Sequence, residues 1–152
     1  MILSQLLTSF IAAAAFGVIF NAPKQTLWKC GVIGAIGWIV YYYLFNYENV
    51  DQILATFIAA FVIAFISQFF AKRYKAPMII FSVAGIIPLV PGGLSYDAMR
   101  NFVENDYSIA TQLAAKVFLI SGAIAMGLVL AEVLNQVMRQ SSIRRHKQRI
   151  EN

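Results

Sequence analysis

Long apolar stretches, separated by short polar connections, make up most of the chain. Four of them contain enough residues to cross the ~30 Å hydrocarbon core of a bilayer as α-helices, which rise about 1.5 Å per residue. Polar or helix-breaking residues stand between them, such as Asn21-Ala22-Pro23 after the first stretch. We therefore predict membrane-spanning helices over four ranges: about 2–20, 28–45, 53–71 and 113–134.

A further apolar stretch, over about 77–91, is shorter and is interrupted. The run from Pro77 to Val90 would extend only ~21 Å as a helix. It ends at Pro88-Leu89-Val90-Pro91-Gly92-Gly93, where two prolines lack a backbone N–H and two glycines permit unusual backbone angles. A mixed segment follows over 94–104. We predict that the fourth span is short, is broken at this Pro-x-x-Pro-Gly-Gly motif and continues as a half-helix.

Composition narrows the class of protein. The chain has 152 residues, of which 60% are apolar and 12% are charged. A soluble fold of this size buries only about 70% of its chain surface, and disorder requires low hydrophobicity with high charge. We therefore predict an all-α, polytopic integral membrane protein with five transmembrane helices. Residues 1–138 would form a single transmembrane domain, and residues 139–152 a basic tail.

The charges are segregated along the chain. The net charge of +5 comes from 12 basic and 7 acidic residues. Basic residues cluster at 24–29, 72–75 and 139–149, whereas acidic residues cluster at 48–51 and 97–106. The positive-inside rule then places the N-terminus outside and the tail in the cytoplasm, in an inner or plasma membrane. We expect the tail to attract anionic lipids, and we expect no nucleic-acid partner.

The sequence offers little catalytic chemistry. It has no P-loop and no GxSxG, HExxH or CxxC motif. Its single cysteine, Cys30, rules out a cysteine-based metal cluster, and its single histidine, His146, lies in the basic tail. We therefore predict no catalytic residues, no metal, no cofactor and no enzymatic activity.

The interruption of the fourth span is the strongest functional feature. Irregular backbone at membrane depth is tolerated only against protein or beside a water-filled cavity, and broken helices form substrate sites in transporters. Pro88, Pro91, Gly92, Gly93 and the nearby Tyr96 are therefore candidate substrate-binding residues. A plainer interpretation also stays open, in which the fourth span ends here and the motif is an exit loop.

Other polar residues each have two interpretations. Asp97 and Arg100 form either a solvent-facing pair or gate groups for an amino-acid or carboxylate substrate. Lys116 either snorkels to the membrane interface or lies on the path of an anionic substrate. Glu132 is either a proton-coupling carboxylate or an interfacial residue. Asn21 either binds solute or caps a helix end.

Small residues form stripes that suit close helix contact in lipid. Whether these stripes meet within the chain or on another subunit stays open, and a homo-oligomer or a partner is expected. The stripes comprise Gly31, Gly34 and Gly37; Ala60, Ala64, Ser67 and Ala71; and Ala123, Gly127 and Ala131.

Several of these residues together resemble a known family. Ile87-Pro88-Leu89-Val90-Pro91-Gly92, followed by Tyr96, is similar to the proline–glycine signature of the threonine/serine exporter (ThrE) family. The resemblance covers residues 10–135, approximately, and is closest to the short members of the family. It also includes Phe20-Asn21-Ala22-Pro23, Leu27, Cys30, Gly34, Gly37, Thr56-Phe57 and Pro77.

This resemblance implies a function. The short members are the small subunits of split exporters, whose larger ThrE-like membrane subunit carries a soluble N-terminal region. The chain would then be one subunit of a two-component secondary transporter that exports threonine, serine or small dicarboxylates such as succinate. Two alternatives remain: a self-sufficient oligomeric channel or holin-like pore, and a non-transporting assembly or regulatory subunit.

Overall fold

A computed structural model describes the backbone of residues 2–151 and the side chains of residues 2–138. This part of the chain contains helices and no strand, which confirms the all-α fold class. The side chains of the predicted basic tail, 139–152, lie outside the described residues. The α-helices are α1 (Ile2–Ile19), α2 (Leu27–Asn46), α3 (Gln52–Tyr74), α4 (Met78–Ile86), α5 (Gly92–Val103) and α6 (Tyr107–Glu151). Single 3₁₀ turns lie at Lys24–Thr26 and Ile87–Leu89.

Four helices are long and apolar enough to cross a membrane: α1, α2 (with the 3₁₀ turn before it), α3 and α6. Met78–Leu89 and Gly92–Val103 together form a fifth candidate span, bent by 54° at the break between them. The chain is therefore a polytopic membrane protein, as predicted. Two helices begin earlier than the apolar pattern indicated, α5 at Gly92 and α6 at Tyr107.

Local signals end the helices and keep the connections short. Asn21, Lys75 and Asn105, which follow α1, α3 and α5, adopt left-handed backbone angles with φ of 54°, 51° and 66°. This conformation redirects the chain after a helix. At the start of α3, the carboxylate of Asp51 accepts a hydrogen bond of 3.0 Å from the backbone N–H of Ile53, which caps the helix.

The α3 and α6 helices pack closely and run in the same direction. A Cβ atom at Gly127 would lie 2.7 Å from the carbonyl oxygen of Phe57, so only a hydrogen atom fits between the two backbones. Nearer the ends of these helices, the buried Gln68 side chain donates a 3.0 Å hydrogen bond to the carbonyl of Ala131. Small residues thus give the close backbone approach that holds helices together in lipid.

The glycines of α2 also make contacts within the chain. Gly31 faces the Phe10 ring, and a Cβ at Gly34 would lie 2.5 Å from the Cβ of Ala13. The next glycine along the helix, Gly37, faces Ile63 of α3. The small-residue stripes of α2, α3 and α6 therefore serve packing inside this chain. Around them lies the buried core, which includes Cys30, Ile33, Ala60, Ile63, Phe81, Ala84 and Ile120.

The fold gathers opposite charges at its two ends. At the end that we call the basic end, the Lys29 ammonium lies 3.1 Å from the centroid of the Tyr74 ring, and Lys72 donates a 2.7 Å hydrogen bond to Asn135. The opposite, acidic end contains the 47–51 and 104–106 connections, with Glu48, Asp51, Glu104 and Asp106. These two connections share an end because the first turns of α3 lie beside Phe118 and Leu119 of α6.

Two glycines of α6 provide a matched test of this packing. We expect Gly127→Ala to destabilise the protein by about 1–3 kcal/mol, because the new methyl group meets the rigid backbone of α3. Gly122→Ala should be neutral or slightly stabilising, because a Cβ there meets no described atom within 4 Å and alanine favours the helix. Thermal unfolding of both variants in detergent measures the difference. Equal melting temperatures would contradict the α3–α6 contact.

Candidate functional site

The interruption between α4 and α5 lies level with the middle of the bundle. A Cβ at Gly34, the eighth of the 20 residues of α2, would lie 3.4 Å from the Cγ of Pro88. Just before the break, a Cβ at Gly85 would lie 2.9 Å from Ile63, the twelfth of the 23 residues of α3. The 3₁₀ turn Ile87–Leu89 therefore packs against the central part of its neighbours, α1 and α2.

The two prolines produce the break by removing backbone donors. Val90 has extended backbone angles, φ −62° and ψ 128°, and its N–H donates a 3.2 Å hydrogen bond to the carbonyl of Ile87. Pro91 comes next, and regular helical bonding resumes where the N–H of Ser95 donates to the Pro91 carbonyl at 3.0 Å. The change of direction is thus confined to Val90 and Pro91.

The two glycines of the motif do not adopt the unusual backbone angles that glycine permits. Among the described residues no glycine has a positive φ, and Gly92 and Gly93 form the first turn of α5. The physical reason is that the ring of Pro91 already fixes a φ of −77°, which suits the start of a helix. What the glycines contribute is space, since a Cβ at either position meets no described atom within 4 Å.

The break has one packed side and one open side. Leu89 is buried against the core, with 6% of its surface exposed. Val90 is 49% exposed, and Gly92 and Gly93 are also exposed on the outer surface of the chain. Hence the α1–α2 pair covers the first half of the motif, whereas the described residues leave the second half uncovered.

The open side continues along α5 as a stripe of exposed residues. Gly92, Tyr96 and Arg100 are spaced by four positions and share one face of the helix. None of the twelve residues of α5, all of which the structure describes, is buried. The structure therefore brings together the second half of the motif, Tyr96 and Arg100 on one exposed surface.

One interpretation of the sequence was an ion pair between Asp97 and Arg100, but Arg100 pairs with a different carboxylate. Its Nε lies 3.7 Å from a carboxylate oxygen of Glu104, with both side chains more than half exposed. Side chains on a helix lean toward its N-terminus, so Glu104 reaches back toward Arg100. Asp97 is half-buried, on the side of α5 that also carries Leu94 and Asn101.

Asn21 lies away from the break, at the basic end. Its φ of 54° and the 2.9 Å hydrogen bond from its N–H to the carbonyl of Val18 place it at the C-terminal cap of α1. Glu132 also lies toward the basic end, because the adjacent Ala131 contacts Gln68 of α3. The carboxylate of Glu132 is exposed and accepts a 3.4 Å hydrogen bond from Gln136.

Lys116 is exposed and lies toward the acidic end. Along α6, Lys116 lies eleven positions, or ~16 Å, before Gly127. Along α3, the first residue of the helix lies only eight positions, or ~12 Å, before Ala60. Since a Cβ at Gly127 would lie 3.1 Å from the Cβ of Ala60, Lys116 stands near or beyond the first turn of α3. The structure thus places Asn21 and Glu132 toward the basic end, whereas Lys116 lies toward the same end as Arg100 and Glu104.

Sequence reasoning missed two features. One is a groove of about 610 Å³ between α5 and α6, which borders the exposed stripe. Its signal was the alternation of small and large residues in both helices, which becomes recognisable only once their pairing is known. The other is Lys29, whose side chain is 6% exposed beneath the Tyr74 ring. Its position in the basic connection suggested an exposed lysine instead.

The helical bundle and its interrupted span define a polytopic membrane protein with one broken candidate span. A family profile described as "Threonine/Serine exporter, ThrE" matches residues 5–134. The chain therefore belongs to the threonine/serine exporter family, a family of membrane transporters, which confirms the resemblance found in the sequence.

Among curated proteins, the chain is similar to an uncharacterized protein of Haemophilus influenzae (strain ATCC 51907 / DSM 11121 / KW20 / Rd). The two are 32% identical over 141 residues, which cover 88% of this chain and 47% of the relative. The chain thus spans about half the length of this relative. No solved structure matches the chain.

The contact between Lys29 and Tyr74 can be tested by a matched pair of variants. We expect Tyr74→Leu to destabilise the protein by about 1–2 kcal/mol, because the buried ammonium loses the aromatic ring that stabilises it. Tyr74→Phe keeps the ring and should stay within about 0.5 kcal/mol of the unmodified protein. Unfolding in detergent, followed by tryptophan fluorescence, gives both values. A similar loss in the two variants would show that the ring contact contributes nothing.

Proposed function

We propose that the chain is the small subunit of a two-component secondary exporter of threonine/serine-type amino acids or small dicarboxylates such as succinate. The observation that carries this proposal is the half-covered break beside the middle of α2. Backbone without regular hydrogen bonding is tolerated at that depth only against protein or water. An aqueous substrate path along the open side of Val90–Gly93 meets this requirement.

The chemistry around the open side suits a carboxylate. The first N–H groups of a helix have no partner within it and carry partial positive charge. At the start of α5 the N–H of Gly92 donates to the Val90 carbonyl at 2.8 Å, so the N–H groups of the following residues would bind the carboxylate, and the two glycines would allow its close approach. Arg100 supplies a cation two turns further along the same face, and Tyr96 supplies a hydroxyl between them. Amino acids and dicarboxylates share the carboxylate group that such a site would bind.

A larger partner subunit explains why one side of the site is open. The H. influenzae relative is about twice as long as the matched region, so a further part accompanies this module there. In our proposal a separate, ThrE-like membrane subunit with a soluble N-terminal region supplies that part. The substrate path would then run between the two subunits, with Pro88, Pro91 and Asp97 shaping this chain's half.

We propose that the basic end faces the cytoplasm, with the N-terminus outside. Support comes from the basic residues gathered there, which the positive-inside rule retains on the cytoplasmic side, and the tail would bind anionic lipids. In this orientation Lys116 lies toward the external side, where it can attract anionic substrate. Glu132 lies toward the cytoplasmic side, where it is the candidate for ion coupling.

Efflux from cells tests the two-component proposal. Cells preloaded with threonine, serine or succinate should express this chain, a larger ThrE-family subunit from the same organism, both or neither. We expect export of one of these substrates only with both subunits, and we expect uncouplers to abolish it. Export by this chain alone that persists with uncouplers would favour a channel. Export by the larger subunit alone, at an equal rate, would favour an assembly role.

Cysteine labelling tests whether the open side lines an aqueous path. With Cys30 replaced by Ser, we expect Val90→Cys and Gly92→Cys to react with a membrane-impermeant, water-soluble thiol reagent, and substrate should slow the reaction. Ile11→Cys is the control, because Ile11 lies within the α1 span and is 62% exposed on its outer face. It should stay unreactive, since it would face lipid. Equal, low reactivity at all three positions would argue against the path.

A further inference from the structure

The groove between α5 and α6 is an apolar surface that the bundle leaves uncovered. Its volume is about 610 Å³, and none of the described side chains that line it is charged. Large side chains around it are strongly exposed: Met99 is 63%, Phe102 53% and Phe118 79% exposed. Small residues complete the lining, among them Ala98, Ala110 and Ala114.

Lipid is a poor cover for this part of the surface. Ser95 and Met99 line the groove, and they adjoin Tyr96 and Arg100 of the exposed stripe in the sequence. The open side of the break thus adjoins the groove at the start of α5, and Arg100, which pairs with Glu104 toward the acidic end, adjoins it farther along the helix. Hydrocarbon does not satisfy irregular backbone, so we expect protein to cover the surface beside the break.

We infer that one membrane-spanning helix of the larger partner subunit lies in this groove. The inference rests on the proposed two-component function and adds the surface by which the subunits associate. A helix has a diameter of about 10–12 Å with its side chains, and small lining residues let its backbone approach closely. Among the hydroxyls that line the groove, that of Ser121 can donate a hydrogen bond to a neighbouring helix, whereas those of Ser95 and Thr111 already donate to the carbonyls of Pro91 and Tyr107 and can only accept one.

A second copy of this chain is a weaker candidate for the groove. The small-residue stripes that would support self-association are already used inside the chain, as at Gly127 and Gly37. The relative of about twice the matched length favours a different protein segment as the neighbour. A helix seated in the groove would also border the stripe of Gly92, Tyr96 and Arg100, so one contact would both join the subunits and enclose the path.

Photo-crosslinking in intact cells tests this inference. Benzoylphenylalanine replaces Phe118 or Phe102 in this chain, which is expressed with a larger ThrE-family subunit that carries a different epitope tag. Ile11 on α1, 62% exposed, is the control position. We expect both groove positions to cross-link to the larger subunit, and the control not to do so. Adding Ala114→Trp should lower the yield about tenfold by filling the groove, whereas Ala15→Trp on α1 should not.

Other outcomes would overturn the inference. Cross-linking that joins two copies of this chain would assign the groove to self-association, and adducts with lipid alone would leave it facing the bilayer. An equal yield from Ile11 would place the partner elsewhere. The cross-links from Phe118 and Phe102 are also measured without Ala114→Trp. If the Ala114→Trp variant does not fold, those measurements still test the inference. Cross-linking through the groove without export by the pair would support the interface and refute the transport function. Export by the pair with cross-linking only through α1 would support the transport function and refute the interface.

Discussion

The backbone of a membrane protein must satisfy its own hydrogen bonds, because hydrocarbon offers none. Four of the candidate spans meet this constraint as continuous helices. The segment from α4 to α5 does not, since Pro88 and Pro91 each remove a donor at the level of Gly34. The 3₁₀ turn packs against α1 and α2 at this level, and the absence of a side chain at Gly34 lets α1 approach α2 closely at Ala13.

The positions of the apolar spans could be predicted from the sequence because apolar run length is a local property, whereas α6 begins before and continues beyond the predicted range 113–134. The break could be predicted for the same reason, since each proline removes a backbone N–H from its own segment, whatever the tertiary structure. Helix partners are not a local property. Gly122 and Gly127 are five positions apart in one helix, yet a Cβ meets open space at the first and the α3 backbone at the second.

The candidate site was predicted less completely, and the reasons are physical. Gly92 and Gly93 permit unusual backbone angles but do not adopt positive φ, because the ring of Pro91 already sets the direction of the chain. The spacing of Asp97 and Arg100 permits a pair, and the sequence gives no measure of the competition from Glu104. The burial of Lys29 depends on Tyr74, which lies 45 positions away, so no local pattern indicated it.

The dependence of the break on α1 and α2 has a consequence for biogenesis. Met78–Leu89 extends only ~18 Å as a helix, which is too short to enter a bilayer as an independent span. Its docking surface comes from α1, α2 and α3, all of which leave the ribosome before it. We therefore expect the first helical hairpin to act as an internal template during synthesis, with α4 settling into the membrane only after that hairpin has formed. The order of residues in the chain is then also an order of assembly.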